Sequence, residues 1–167
     1  GEIVTQPGGE VEFSVRAFDA QGRLIGPIHA EWALAGPVGK LNGSKIALAD
    51  KQGGGTLTAT AGDLTAEARI AVLPPAEYSE DFEGFAADKS PIWVGTGSKF
   101  KIRALADSNK VLVKPPAARG LHRANTYFGT PNMTGYTIQA DLLGNKKRRA
   151  VPDMGLIANR YTLDMMG

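Results

Sequence analysis

The 167-residue sequence has no cysteine and only two histidines. The absence of cysteine excludes a disulfide, a zinc–thiolate site and a cysteine nucleophile. No apolar run approaches the ~18 residues that a membrane-spanning helix needs. The formal net charge is only +2, so the bulk charge of the chain does not predict a binder of polyanions.

Enzyme motifs are scarce as well. The chain has no H-E-x-x-H and no G-x-S-x-G, and its glycine runs are not followed by the Lys-Ser or Lys-Thr of a phosphate-binding loop. The nearest arrangement to the paired carboxylates of a glycosidase is Glu80-Asp81-Phe82-Glu83, whose position and spacing do not match that chemistry. We therefore predict a solvated strand end with no catalytic residue and no cofactor, and a structural Ca²⁺ at Asp81 and Glu83 is the alternative.

Turn-forming residues, in contrast, are abundant, with 21 Gly and 10 Pro. Between them lie short segments with a period of two, such as Val11, Phe13 and Val15, which alternate with polar residues. Further segments of this kind follow up to residue 72 and at 100–105, 110–114, 135–142 and 155–163. No segment carries a helical stripe, so the sequence predicts an all-β chain.

A boundary between two domains is predicted at Pro74-Pro75. Proline has no N–H to donate and therefore ends a strand ladder. Residues 1–75 contain 6 Lys+Arg and 8 Asp+Glu, a net charge of −2, whereas residues 76–167 contain 13 and 9, a net charge of +4. The shift in charge supports two domains, at 1–75 and 76–167.

The first domain resembles a bacterial Ig-like β-sandwich. The residues that carry the likeness are VTQPGGEVEFSVRAFDAQGRLI, AEWALAG and GGGTLTATAGDLTAEARIAVLPP. The resemblance implies that Trp32 is the core tryptophan and that the domain is a spacer or an adhesive module without catalytic residues. We expect Trp32 and Phe13 to pack in a core and His29 to lie at the surface or an edge.

The second domain resembles a concanavalin-like (laminin-G-like) jelly roll of the 3-keto-disaccharide hydrolase-like type, which also occurs attached to quinoprotein-type β-propellers. The likeness rests on DFEGF (81–85), PIWVGTGSKFKIR (91–103), KVLVKP (110–115), MTGYTIQADLL (133–143) and MGLIANRY (154–161). A complete jelly roll of this kind needs roughly twice the ~90 residues after Pro75. We expect the second sandwich to be incomplete and the chain to be a piece of a longer protein.

Aromatic residues are the first candidates for ligand contacts, because the apolar faces of sugars stack on flat rings. The candidates are Trp93, Tyr127, Phe128, Tyr136 and Tyr161. Trp93 has the context of a core residue, whereas Tyr161 follows Asn159 and Arg160 and is a candidate for the concave face. His122, which has two arginines nearby, is a further candidate for a ligand contact.

The run Lys146-Lys147-Arg148-Arg149 is the densest cluster of positive charge. It falls between two predicted strands, so we interpret it as a charged connection that keeps a β edge from pairing with other chains. Nucleic-acid binding is not predicted, because interleaved aromatic residues are missing. The alternatives for Arg148 and Arg149 are an anionic polymer and a contact with the acidic first domain.

These observations lead to a non-catalytic, extracytoplasmic binding or scaffold module of an exported bacterial protein. Its expected partners are carbohydrate or another surface polymer, together with other domains of the parent chain. Two alternatives stay open at this point. One is a glycan-processing hydrolase domain of the 3-keto-disaccharide hydrolase-like type, and the other is a structural spacer of a quinoprotein-type propeller protein.

Overall fold

The computed structural model describes residues 2–97, 99–116, 123–146 and 151–166. Within these ranges the chain has thirteen strands and no helix, which confirms the predicted all-β class. None of the described residues belongs to a helix that could span a membrane. The chain divides into two compact units, Gly1–Asn132 and Met133–Gly167. The predicted domain boundary at Pro74-Pro75 stays a prediction.

The strands are short, as the spacing of turn residues predicts. In chain order they are β1 (Glu2–Thr5), β2 (Glu10–Glu12), β3 (Arg16–Phe18), β4 (Leu24–Pro27), β5 (Glu31–Ala35), β6 (Gly39–Asn42), β7 (Lys45–Leu48), β8 (Gly53–Ala61), β9 (Leu64–Val72), β10 (Lys101–Ala104), β11 (Lys110–Val113), β12 (Met154–Ala158) and β13 (Tyr161–Met165).

The largest sheet has the order β1-β9-β8-β5, in which β1 is parallel to β9 and the other pairs are antiparallel. The long hairpin β8–β9 turns at Gly62-Asp63, as predicted, and Gly62 has a φ of +59° that favours glycine. At Gly55 a Cβ would lie 2.7 Å from Val38 Cγ2, so only glycine lets Val38 approach the sheet this closely. A second sheet has the order β2-β7-β6, and β3–β4 is a separate hairpin.

The core of the first unit lies between these two sheets. Leu57, Ile70 and Val72 come from the four-stranded sheet and Ile46 comes from the three-stranded sheet, and all four are at most 2% exposed. Phe13 and Trp32 pack against this cluster, with their ring centroids 6.4 Å apart, which confirms their predicted role in the core. A core shared by two sheets is compatible with a β-sandwich.

The hairpin β10–β11 is also confirmed, together with its turn. Asp107 Oδ1 accepts a hydrogen bond from the Asn109 N–H at 3.1 Å, and Ser108 has a φ of +70°. Asp and Asn suit such turns because their short polar side chains bond to the nearby backbone.

Two predicted strands of the second half are wrong in detail. Residues 135–142 alternate strongly but form no strand, because a strand also needs a neighbour with which to form ladder hydrogen bonds. The segment 155–163 is not one strand but the hairpin β12–β13, which turns at Asn159-Arg160. Asn159 has a φ of +56°, a conformation that asparagine tolerates better than most residues.

Leu57 and Leu64 give a matched test of the core. Leu57 is 1% exposed in β8, whereas Leu64 is 72% exposed at the start of β9. Leu57→Ala should lower the free energy of unfolding by about 2–5 kcal/mol, because it leaves a cavity in the core. Leu64→Ala should change it by less than about 0.5 kcal/mol. Urea unfolding of both variants measures the difference, and equal losses would contradict the assigned core.

Candidate functional site

The ligand-contact residues predicted from the sequence fall into two groups. Asn159 and Arg160 form the turn of the β12–β13 hairpin, and Tyr161, the first residue of β13, is 81% exposed. The structure therefore brings these three residues together at one hairpin end. His122, Arg148 and Arg149 lie outside the described residues, so their predicted roles remain predictions.

The first unit contains a cluster of aromatic rings around Trp93. The Trp93 ring lies 5.2 Å from that of Phe128, 5.8 Å from that of Phe82 and 6.4 Å from that of Tyr78, centroid to centroid. These distances and the tilted or edge-on geometries are those of favourable aromatic pairs. Trp93 is half-buried within the cluster, in agreement with the packing role expected for it, and Phe128 keeps 40% of its surface exposed.

The polar edge of this cluster is the Tyr78–Glu80 pair. Tyr78 Oη donates to Glu80 Oε2 at 2.5 Å, and the Phe82 N–H donates to Glu80 Oε1 at 2.9 Å. Burial of the phenol raises the pKa of Tyr78, and the hydrogen bond and negative charge of Glu80 raise it further. Trp93 and Gln52 act in the opposite direction as donors toward the Tyr78 oxygen. The Trp93 Nε1–H is nevertheless buried without a well-formed hydrogen bond among the described residues.

The segment Glu80-Asp81-Phe82-Glu83 is not the predicted strand end, because its residues form a turn outside any strand. Asp81 Oδ1 accepts from the Glu83 N–H at 3.0 Å, and Glu83 Oε1 accepts from the Lys110 N–H at 2.7 Å. The Lys110 ammonium donates to the carbonyl oxygens of Glu83 and Phe85 at 2.7 and 2.8 Å. Within the described ranges no group of three or more acidic or histidine side chains is arranged to hold a metal ion.

The segment 125–127 is fastened to the neighbouring segment 94–96 by both backbone and side chains. Val94 and Tyr127 exchange two backbone hydrogen bonds, of 2.8 and 2.9 Å. Thr96 is fully buried; its hydroxyl donates to the Trp93 carbonyl oxygen at 2.8 Å and accepts from the Thr126 hydroxyl, with the two oxygens 2.5 Å apart. Thr126 therefore faces inward.

Asn125 and Tyr127 flank Thr126 and contact each other on the outer side, and Arg123 lies two residues earlier in the chain. All three are exposed, and Tyr127 keeps 47% of its surface accessible. The Asn125 side-chain amide donates to Tyr127 Oη at 3.1 Å, which restricts both side chains before any ligand arrives. We call Arg123, Asn125 and Tyr127 the tyrosine stripe. It combines a flat ring and an amide that contact each other with an exposed guanidinium close to them in sequence.

Sequence reasoning identified Tyr127 as a candidate but missed Arg123 and Asn125. The signal was present in R-A-N-T-Y, in which larger polar or aromatic side chains alternate with Ala124 and Thr126. This alternation was too short to outweigh the neighbouring glycines and prolines. The hydroxyl pair with Thr96, thirty residues away, is what assigns the inner and outer sides.

Depressions elsewhere on the first unit are shallow. One of about 440 Å³ is lined by His29, Glu31 and Thr60, among other residues, and one of about 420 Å³ lies beside β6 and β7. His29 is exposed, as predicted. Comparison of the chain with protein-family models, curated proteins and solved structures gives no match.

The raised pKa of Tyr78 predicts a distinct alkaline titration. When phenolate absorbance is followed against pH, Tyr78 should ionise above the usual range of a phenol, and Tyr78→Phe should remove that late step. A raised pKa stabilises the fold below the unfolded-state pKa of about 10 and loses that contribution as pH rises further. The wild-type chain should therefore lose stability above that pH more steeply than Tyr78→Phe. A late step that persists in Tyr78→Phe, with absorbance lost instead from the ordinary phenol range, would contradict the Tyr78–Glu80 assignment.

Proposed function

We propose that the chain is a non-catalytic module that binds carbohydrate on its tyrosine stripe. The observation that carries the proposal is the Asn125–Tyr127 pair, an exposed ring whose hydroxyl is already held by a neighbouring amide at 3.1 Å. A sugar presents C–H groups on one face and hydroxyl groups around its edge. The tyrosine ring can stack on the C–H face, and the amide and guanidinium can hydrogen-bond to the hydroxyl groups.

Preorganisation favours this function. The stripe stands on a segment that two backbone bonds and the Thr96–Thr126 pair hold in place, so little ordering remains to be done on binding. Arg123 adds a donor fork that matches a carboxylate or sulfate group, and this favours acidic over neutral sugars.

The hairpin end at Asn159, Arg160 and Tyr161 supports a second subsite of the same chemistry. It repeats the three side-chain types of the tyrosine stripe, and its ring is 81% exposed. In this proposal each unit carries one aromatic contact for carbohydrate.

The fold assignment that accompanies this proposal is an Ig-like sandwich followed by part of a concanavalin-like jelly roll. Support comes from the sequence resemblances, from the core shared by two sheets and from Trp32 packing on it. The placement as an extracytoplasmic part of an exported bacterial protein rests on the same resemblances. The hydrolase alternative is disfavoured, because Glu80 and Glu83 already accept hydrogen bonds from their own turn and from Lys110.

An array of neutral, uronic-acid and sulfated oligosaccharides, printed and probed with the 167-residue chain, tests the proposal. We expect binding to acidic sugars, and calorimetry on the best of them should show that Tyr127→Ala weakens it by about tenfold or more through loss of stacking. Tyr127→Phe, which keeps the ring, should retain most of the affinity. Arg123→Gln should reduce the preference for acidic over neutral sugars.

Tyr136→Ala is the matched control, because Tyr136 is 38% exposed but belongs to neither aromatic surface. Tyr161→Ala separates the two proposed subsites. No binding to any sugar on the array, or equal losses in Tyr127→Ala and Tyr136→Ala, would overturn the assignment of the tyrosine stripe.

A further inference from the structure

Strand β13 has an open edge in the structure. It pairs with β12 on one side, and no described strand lies on its other side. All five of its residues are exposed. Edges of this kind present unpaired N–H and C=O groups and act as templates for another strand.

The register of the hairpin shows which groups point outward. Ala158 and Tyr161 flank the two-residue turn and form a hydrogen-bonded pair. Hydrogen-bonded and non-hydrogen-bonded pairs alternate along an antiparallel ladder, so Leu156–Leu163 and Met154–Met165 are also hydrogen-bonded pairs. The backbone groups of Thr162 and Asp164 therefore point to the open edge.

The same register places the apolar residues on one side of the hairpin. Directly opposed residues share a face, so Tyr161, Leu163 and Met165 lie beside Ala158, Leu156 and Met154. Tyr161, Leu163 and Met165 are 81%, 63% and 44% exposed. The other face of β13 carries Thr162 and Asp164.

From this pattern we propose that β13 pairs with β13 of a second copy of the chain, antiparallel and centred on Leu163. Tyr161 then lies opposite the partner's Met165, and Leu163 lies opposite the partner's Leu163. Thr162 lies opposite the partner's Asp164, so that a hydroxyl donor faces a carboxylate. The outward-pointing residues Thr162 and Asp164 become the hydrogen-bonded pairs, as an antiparallel ladder requires.

The centred register is favoured over the two registers that are shifted by one pairing step. A shift by one pairing step toward the C-terminus places Asp164 opposite the partner's Asp164, which is repulsive. A shift in the other direction opposes Thr162 with the partner's Thr162 and leaves Met165 opposite a turn residue. The centred register is the one that pairs all five strand residues, and it forms a two-fold symmetric interface. Tyr161 belongs both to this interface and to the second proposed sugar subsite, whereas the tyrosine stripe contains no residue of β13.

Sedimentation equilibrium of the full chain over a range of concentrations tests the dimer, with two variants of equal charge change. Leu163→Lys places like charges opposite each other and removes a leucine contact, and it should weaken dimerisation by about tenfold or more. Thr162→Lys faces the partner's Asp164 and should preserve or strengthen the dimer. A wild-type chain that remains monomeric up to the highest soluble concentration overturns the proposal, as does a dimer that Leu163→Lys leaves unchanged.

The register has its own test, because the chain contains no cysteine that would interfere. In the centred register Leu163→Cys brings two Cα atoms to about 4.5 Å, within the range of a disulfide. Thr162→Cys leaves the two sulfurs diagonal and too far apart. Mild oxidation should therefore cross-link Leu163→Cys and not Thr162→Cys, and the reverse result overturns this register.

Thr162→Pro distinguishes edge pairing from packing of the apolar faces. It removes the outward N–H of each copy and keeps Tyr161, Leu163 and Met165. Edge pairing predicts loss of the dimer in this variant. A dimer that persists is held by the faces and contradicts the proposed edge pairing.

Discussion

The buried hydroxyl pair Thr96–Thr126 decides which side of the segment 123–128 meets solvent. Thr96 is fully buried, so its hydroxyl needs partners inside the protein, and it finds them in Thr126 and the Trp93 carbonyl. With Thr126 turned inward, Asn125 and Tyr127 must turn outward. The exposure of the Asn125–Tyr127 pair thus follows from the requirement to satisfy one buried polar group.

The surroundings of that pair are held by a second set of polar contacts at the edge of the aromatic cluster. Glu80 accepts from Tyr78 and from the backbone at Phe82, while the Lys110 ammonium binds the carbonyls of Glu83 and Phe85. These bonds hold the 80–85 turn, whose Phe82 ring lies 5.8 Å from that of Trp93, centroid to centroid. The charged residues of DFEGF therefore serve the fold, although their composition alone also suited catalysis or a metal.

The sequence was sufficient where local chemistry decides the outcome. The Asp107-Ser108-Asn109 turn, the Gly62-Asp63 turn and the core position of Trp32 all follow from residue type and a period of two. It was insufficient where the outcome depends on a distant partner. Residues 135–142 alternate as a strand should but have no neighbouring strand. In 155–163 the apolar pattern continues on both sides of Asn159, so the pattern does not reveal the turn there. Arg123 and Asn125 were missed for the same reason, since Thr96 lies far from them in sequence.

The central claim is that the segment 125–127 is held in one orientation by its bonds to 94–96. Amide hydrogen exchange followed by NMR tests it directly. The Tyr127 amide, which donates to the Val94 carbonyl at 2.9 Å, should exchange more slowly than an unstructured amide by on the order of a hundredfold. Thr126→Val, which removes the hydroxyl that bonds to Thr96, should reduce this protection. Exchange of the Tyr127 amide at the unstructured rate in the wild-type chain would contradict the account.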